Sequence, residues 1–74
     1  MNVQENKRIG KALALMRVEA GLKQADLCET LHKPQSYISK IETGERSLQL
    51  NELAAYAAAL GTTSAQVLER LNIR

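Results

Sequence analysis

The chain has 74 residues, which is enough for one small domain whose single hydrophobic core is near the lower size limit for independent folding. Its one cysteine excludes an internal disulfide framework, and no apolar run approaches the roughly 18 residues that a membrane span requires. The formal net charge is +2, and residues 1–34 contain six Lys or Arg against four acids. The basic residues of this half that could lie beside a polyanion are Lys7, Arg8, Lys11, Lys23 and Lys33.

The first helix is predicted from Asn6 to Ala20, and Gly21 supplies the left-handed residue that commonly ends a helix. The apolar residues that recur there at helical spacing are Ile9, Ala12, Leu13 and Met16. Residues 1–5 are polar, and we expect them to be frayed. Leu15 lies off the apolar stripe and is therefore expected to be exposed.

The second helix is predicted to begin near Lys23 and to stop before Pro34, because a residue that precedes proline avoids the helical region. Its inward-facing residues are Leu27, Cys28 and Leu31. We interpret Cys28 as a small buried residue. Pro34 suits the opening of a third helix, where its missing N–H costs nothing, and Gly44 allows a left-handed cap at the end of that helix.

The third helix has two different sides. Tyr37, Ile38 and Ile41 form an apolar side that can dock on a core. The opposite side carries Gln35, Ser36, Ser39, Lys40 and Thr43. Amide, hydroxyl and ammonium groups can hydrogen-bond base edges in the major groove of DNA or reach flanking phosphates. A solvated surface helix would show the same polarity, so this pattern alone leaves both interpretations open.

Two further helices are predicted after the loop at residues 45–47. Leu48 and Leu50 are expected to seal the core beside this loop. The fourth helix ends at Gly61, and its apolar stripe consists of Leu53, Tyr56, Ala57 and Leu60. Ser64 is predicted as the N-cap of the fifth helix, whose apolar residues are Val67, Leu68 and Leu71. Since no alternating run predicts a strand, we expect an all-α chain of five helices.

Several short motifs, taken together, resemble one known family. They are Arg17 ahead of the turn at residues 20–22, Gln24 opening the second helix, Ser39-Lys40-Ile41-Glu42 followed by Gly44, and Ala59-Leu60-Gly61. This set, spread over about residues 9–71, is similar to the phage repressor and Cro group of helix-turn-helix proteins, also called the XRE family. The resemblance implies a compact five-helix, lambda-repressor-like DNA-binding domain at residues 6–72, with its helix-turn-helix at about residues 23–43.

The resemblance also implies roles for individual side chains. Gln24 would hold a phosphate at the start of the second helix. The side chains implied to face base edges are Gln35, Ser36 and Lys40, and Ser39 and Thr43 would lie along the same groove. Thr43 and Arg46 would also lie near the DNA backbone. With the two flanking lysines, the predicted DNA-binding residues are Lys23, Gln24, Lys33, Gln35, Ser36, Ser39, Lys40, Thr43 and Arg46.

Arg17 and Glu42 resemble the family's structural ion pair, which fastens the first helix to the end of the third. An arginine fork can grip a carboxylate in two places. One departure from the family is His32, which stands where a glycine is usual, so a non-glycine residue is expected to take a left-handed conformation. A pH sensor or a metal ligand is a weaker interpretation of His32, because no second histidine or carboxylate–cysteine cluster accompanies it. No metal is expected.

We expect a sequence-specific transcription regulator that binds double-stranded DNA as a homodimer on a near-palindromic operator. The alternative is a protein-interaction module such as a small antitoxin, although only residues 72–74 follow the fifth helix, which argues against a toxin-wrapping extension. An enzyme is disfavoured, since the sequence has no glycine-rich phosphate loop and no metal-ligand constellation. No cofactor, small-molecule ligand or membrane is expected as a partner. With no signal-peptide pattern, we expect a cytoplasmic protein.

The fifth helix and the C-terminal residues are predicted to form the dimer contact. They carry more apolar residues than one edge of a small core needs. We expect Leu68 to pack inward and Val67, Leu71 and Ile73 to meet the partner. Burial of these residues within the monomer is the alternative, and exposed Leu15 is a second candidate for the contact.

Overall fold

A computed structural model describes residues 3–73, which form five α-helices and, within that range, no strand. The helices are α1 (Val3–Glu19), α2 (Gln24–Leu31), α3 (Gln35–Thr43), α4 (Leu50–Ala59) and α5 (Ser64–Arg70). The helix α1 begins at Val3, within the segment expected to be frayed, and Met1 and Asn2 lie outside the described residues. No helix in the described part of the chain is both long and apolar enough to cross a membrane.

The ends of α2 and α3 follow the local signals in the sequence. Lys23 precedes α2, and its backbone N–H donates a hydrogen bond to Asp26 at 2.8 Å. His32 ends α2 at φ 55° and ψ 45°, so it adopts the predicted left-handed conformation. Pro34 stands immediately before α3, and Gly44 caps α3 at φ 83°.

The prediction for α5 was wrong by one residue, because the Oγ1 of Thr63, not Ser64, accepts the capping hydrogen bond from the Gln66 N–H.

The core takes side chains from all five helices. Its buried hydrophobic residues are Leu13, Leu27, Ile38, Ile41, Leu53, Tyr56, Ala57, Leu60, Val67 and Leu71. Cys28 is half-buried and packs against this core, as does Leu48. Leu50 was expected to seal the core, but this residue, the first of α4, is 85% exposed. Leu15 is exposed on α1, as its position off the apolar stripe predicts.

Gly10 lets α1 and α3 approach backbone to backbone. A Cβ atom at this position would collide with the carbonyl oxygen of Ile41 and would lie 2.7 Å from that of Glu42. At Gly44, a Cβ would lie 2.7 Å from the Cα of Lys7, in addition to the strain of its left-handed backbone. These two glycines therefore fix the distance between α1 and the C-terminal end of α3. This role of Gly10 was not predicted from the sequence.

Arg17 and Glu42 join α1 to α3 beside this close approach. The Nε of Arg17 donates to Oε2 of Glu42 at 2.7 Å, and its Nη2 donates to Oε1 at 3.2 Å. The Nη1 of Arg17 also donates to the carbonyl oxygen of Leu22 at 2.8 Å, which ties the turn before α2 to the same group. The hydrogen bonds to Glu42 raise the pKa of Arg17 above its usual value. The side chains of Arg17 and Glu42 are only 15% and 8% exposed, so the pair is largely withdrawn from water.

A second polar cluster closes the loop between α3 and α4. Arg46 forms a bidentate pair with Glu52 at 3.0 and 3.1 Å and stacks over the Tyr37 ring, 4.7 Å from its centroid. The Tyr37 hydroxyl donates to Oε2 of Glu52 at 2.9 Å, and the Gln49 backbone N–H donates to Oε1. The Arg46 hydrogen bonds are the largest influence that lowers the pKa of Glu52 to about 2. Burial and the bond to Glu52 raise the pKa of Tyr37 to about 12.

The Arg17–Glu42 pair gives a test of how α1 is held. Arg17→Ala and Glu42→Ala should each lower the free energy of unfolding by roughly 3 kcal/mol, the low end for one partner of a buried pair, because each leaves a charge stranded. The double variant should lose clearly less than the sum of the two. Urea denaturation measures all three. Arg70→Ala is the control, because its pair with Glu19 at 2.8 Å is solvent-exposed and should contribute less than about 1 kcal/mol. Additive losses at Arg17 and Glu42 would contradict the coupling.

The Glu52 cluster gives a test in acid. The folded-state pKa of Glu52, about 2, lies below the unfolded value of about 4.3. The ionised Glu52 therefore stabilises the fold fully above about pH 4.5, and this stabilisation is lost as the pH falls towards 2. Glu52→Gln should therefore be less stable than the wild type at pH 7 but lose less additional stability between about pH 4.5 and 2. Denaturation midpoints followed by circular dichroism at several pH values measure this. Glu69→Gln, on an exposed part of α5, is the control. Equal acid sensitivity of wild type and Glu52→Gln would refute this role.

Candidate nucleic-acid interface

The helix α3 presents one polar side to solvent and buries the other. Ile38 and Ile41 are 0% and 1% exposed in the core, and Tyr37 is half-buried beside them. The residues on the opposite side are Gln35, Ser36, Lys40 and Thr43, which are exposed, and Ser39, which is half-buried. The five side chains that the sequence places on one face therefore share the outward side of a helix whose inward side is anchored. Such a helix can enter a groove without unpacking the domain.

The turn between α2 and α3 sets the angle at which α3 is presented. The left-handed His32 lets the Lys33 N–H donate back to the carbonyl oxygen of Cys28 at 3.1 Å, which closes the end of α2. Pro34 then takes an extended conformation at φ −70° and ψ 159°, so the chain leaves α2 and enters α3 within a few residues. His32 has no metal-binding surroundings, since the described residues contain no cluster of three or more His, Cys, Asp or Glu.

Exposed lysines lie near both ends of the α3 face. Lys33 is in the turn, with its Nζ 5.2 Å from the centroid of the Tyr37 ring, and Lys40 is in the last turn of α3. Lys23 precedes α2. Arg8, which was expected to lie beside a polyanion, is bound within the protein. It pairs with Glu5, and its Nη1 donates to the carbonyl oxygen of Leu71 at 2.7 Å. Arg8 therefore ties α1 to the C-terminal residues of the domain.

A chain of hydrogen bonds runs from the Arg17–Glu42 pair to the exposed face of α3. Oε1 of Glu42 accepts a hydrogen bond from the Nε2 of Gln24 at 2.9 Å. The Oε1 of Gln24 in turn lies 3.4 Å from the Nε2 of Gln35, which donates to it. Each of these four residues has a role predicted from the sequence, but their connection was not predicted. Nothing in the sequence marks a contact between residues 11 positions apart on two different helices.

Arg46, predicted to lie near the DNA backbone, is bound within the protein. Its guanidinium is shared between Glu52, the Tyr37 ring and the carbonyl oxygen of Ser47, and its side chain is 35% exposed. Glu52 was not predicted as the partner of Arg46. The spacing of Gln49 and Glu52 at the start of α4 is typical of a helix cap and signals an acidic residue there, but not the arginine that it binds.

The C-terminal surface differs from the predicted dimer contact. Val67 and Leu71 are 0% and 4% exposed, so their prediction as partner-facing residues was wrong. A domain of this size needs the apolar side of α5 to close its own core. Ile73 is 39% exposed and lies with Leu50 at an apolar groove of about 170 Å³, whose other lining residues include Leu48 and Leu68. The exposed apolar surface at this end of the domain is therefore centred on Leu50 and Ile73.

Comparison with known proteins agrees with this architecture. A family model described as helix-turn-helix matches residues 13–68. The clp gene regulator ClgR from Corynebacterium glutamicum is 28% identical, with a TM-score of 0.83, over 92% of this chain and 88% of that one. An XRE-family like protein from Pseudomonas syringae pv. tomato is 30% identical, with a TM-score of 0.81, over 93% of this chain and 84% of that one.

The restriction-modification controller protein C.AhdI from Aeromonas hydrophila is 25% identical, with a TM-score of 0.79, over 86% of this chain and 97% of that one. No curated protein sequence is a significant match. The family model thus matches most of the chain, and the three structures share its architecture. The chain belongs to the XRE type of the helix-turn-helix family, a family of DNA-binding transcription regulators.

Proposed function

We propose that this protein is a sequence-specific transcription regulator that binds duplex DNA as a homodimer, with α3 in the major groove. The observation that carries the proposal is the two-sided burial of α3. Ile38 and Ile41 lock the helix to the core, and most of the opposite, polar face is left exposed. A helix held in this way can present several side chains to base edges at once, which a freely moving segment would do only at a large entropic cost.

The exposed side chains fall into two groups by what they can recognise. Gln35, Ser36 and Lys40 lie on the outer face of α3 and are proposed to contact base edges, with Ser39 and Thr43 along the same groove. The proposed phosphate contacts are Lys23, Gln24 and Lys33, which lie at the start of α2 and in the turn. Contacts to phosphates fix position and carry no sequence information, so the two groups have different measurable effects.

The size of the recognition surface supports the proposal of a homodimer. One module of this size covers on the order of 600–1,000 Å² of DNA interface, which is small for specific binding against a genome. A two-fold symmetric pair doubles this surface and requires a near-palindromic operator whose half-sites lie about one helical turn apart. We propose that the copies meet through the surface around Leu50 and Ile73, because these apolar side chains remain exposed beside an uncharged groove after the core is complete.

Selection of bound duplexes from a random pool tests the proposal directly and should enrich a near-palindrome. On the selected site, Gln35→Ala should weaken binding by about 1–3 kcal/mol and remove preference at one or two base pairs of each half-site. Lys23→Ala should weaken specific and random duplexes alike and reduce the slope of log affinity against log salt by about 1 for each subunit. Fluorescence anisotropy at several salt concentrations measures both effects. No enrichment, or equal losses on specific and random DNA for Gln35→Ala, would contradict the proposed reading by α3.

The dimer surface is tested with charge substitutions. Leu50→Glu should give a monomer that keeps its helical circular dichroism, because Leu50 contributes little to the core. This variant should lose far more affinity for the full palindrome than for a half-site. Leu15→Glu is the matched control, since Leu15 is also an exposed leucine, at 52%, but on α1 and outside the groove. Analytical ultracentrifugation distinguishes the outcomes. A Leu50→Glu dimer, or a Leu15→Glu monomer, would place the interface elsewhere.

A further inference from the structure

An apolar groove lies between α1, the start of α4 and the end of α5. Its volume is about 170 Å³, and of the ten described residues that line it, only Gln49 is polar. Leu50 stands at the rim of this groove, where it is 85% exposed. We propose that Leu50 of each copy inserts into the groove of the other copy, so that two copies are joined by a reciprocal exchange of leucines. This inference rests on the proposed homodimer, because it names what fills the groove at the contact.

The groove has the size and the chemistry to accept one leucine side chain. An apolar cavity of about 150 Å³ can hold benzene, which is bulkier than the side chain of leucine. The described residues that line the groove include no charged group. An inserted aliphatic side chain therefore removes apolar surface from water on both copies and leaves no buried charge without a partner. A polar or charged side chain would lose its hydration there and gain little in return.

Ile73, on one side of the groove, is held in place by the turn that ends α5. Its backbone N–H donates to the carbonyl oxygen of Leu68 at 2.9 Å. The N–H of Asn72 donates to the carbonyl oxygen of Glu69 at 3.0 Å, and Asn72 is left-handed at φ 59°. This pair of hydrogen bonds commonly ends a helix and brings the residue after the left-handed one against the last helical turn. Arg8 also ties this end of the chain to α1. Ile73 is therefore ordered before a second copy binds, which lowers the entropic cost of the contact.

Two symmetric arrangements would bring this surface of two copies together. With Leu50 on the two-fold axis, the two Leu50 side chains meet each other and both grooves keep an open side. With the axis beside Leu50, each Leu50 meets Ile73 of the other copy, because every contact in a two-fold interface occurs twice. Both leucines are then buried and both grooves are filled. The second arrangement buries more apolar surface and leaves less empty space at the contact, so it is the favoured one.

The outer side of α4 supplies the rest of the contact area. A stable dimer covers about 600–1,000 Å² on each copy, which is more than one leucine and one groove provide. The exposed residues of α4 are Leu50, Asn51, Ala54, Ala55 and Ala58. At about 100° per residue they share an arc of roughly 140°, so this side of the helix continues from the inserted leucine. The one charged residue of α4, Glu52, is half-buried and bound to Arg46. A second copy can therefore cover the outer side of α4 without burying an unpaired charge.

Disulfide cross-linking between two differently tagged full-length chains tests the exchange. Both chains carry Cys28→Ser, which removes the native thiol. One chain also carries Leu50→Cys and the other Ile73→Cys, so any disulfide joins two molecules. After mild oxidation, the mixture should give mainly the disulfide between the two different chains, because the exchange places these positions within disulfide reach. Leu15→Cys replaces Leu50→Cys in the control mixture and should give little product, since Leu15 is 52% exposed but lies outside the groove.

The dissociation constant of the dimer, from analytical ultracentrifugation, gives an independent measurement. Leu50→Ala should raise it by roughly a hundredfold, about tenfold for each of the two inserted side chains. Asn72→Val should also raise it, because a β-branched residue disfavours the left-handed conformation that places Ile73, whereas Asn72→Gly should leave it unchanged. All three variants should keep the helical circular dichroism of the wild type. Equal dissociation constants for Leu50→Ala and the wild type would overturn the inference.

The other outcomes separate this inference from the proposed function. If the wild-type chain stays monomeric in solution and on the selected operator, the proposed homodimer fails and the exchange fails with it. If Leu50→Cys cross-links mainly to itself, the proposed dimer surface stands and the exchange is overturned. A dimer in which Leu50→Cys gives no cross-link in either pairing places the contact elsewhere and overturns both. Binding of one copy to a half-site, measured by fluorescence anisotropy, reports on α3 independently of all these results.

Discussion

The contact between α1 and the C-terminal half of α3 is the constraint on which the rest of this structure depends. Gly10 allows the two backbones to touch, and the Arg17–Glu42 pair fixes how they are rotated against each other. Because α3 carries the candidate recognition face, any change in this contact would change the orientation of that face relative to the rest of the domain. The same carboxylate also accepts a hydrogen bond from Gln24, which joins the start of α2 to this contact.

The small size of the domain explains where its apolar residues lie. Val67 on α5 and Leu71 immediately after it are both buried, because a core this small needs their side chains. Arg8 then fastens the C-terminal end to α1 through the Leu71 carbonyl oxygen. At the groove beside α5, Leu50 and Ile73 remain exposed. This exposed edge is the surface at which we propose that two copies meet.

The loop after α3 is held by charge and stacking, since it has few apolar side chains to bury. Arg46 lies against the Tyr37 ring and binds Glu52, so a residue of α3, one of the loop and one of α4 meet in one cluster. Gly44 brings the start of this loop against the backbone of Lys7. The C-terminal end of α3 is therefore fixed on two sides. This rigidity matters because positions such as Lys40 and Thr43 project from that end.

The sequence by itself determined the features that depend on neighbouring residues. Five helices, the left-handed His32, the cap at Gly44 and the division of α3 into polar and apolar sides follow from helical spacing and local backbone preferences. The resemblance to a known family supplied the Arg17–Glu42 pairing, which spacing alone does not indicate. Only the tertiary structure decided that Leu50 is exposed, that Val67 and Leu71 are core residues, that Arg46 binds Glu52, and that Gln24 joins Glu42 to Gln35. Burial and side-chain pairing depend on which helices pack together in space, and a periodic pattern along one helix carries no information about its neighbour across the core.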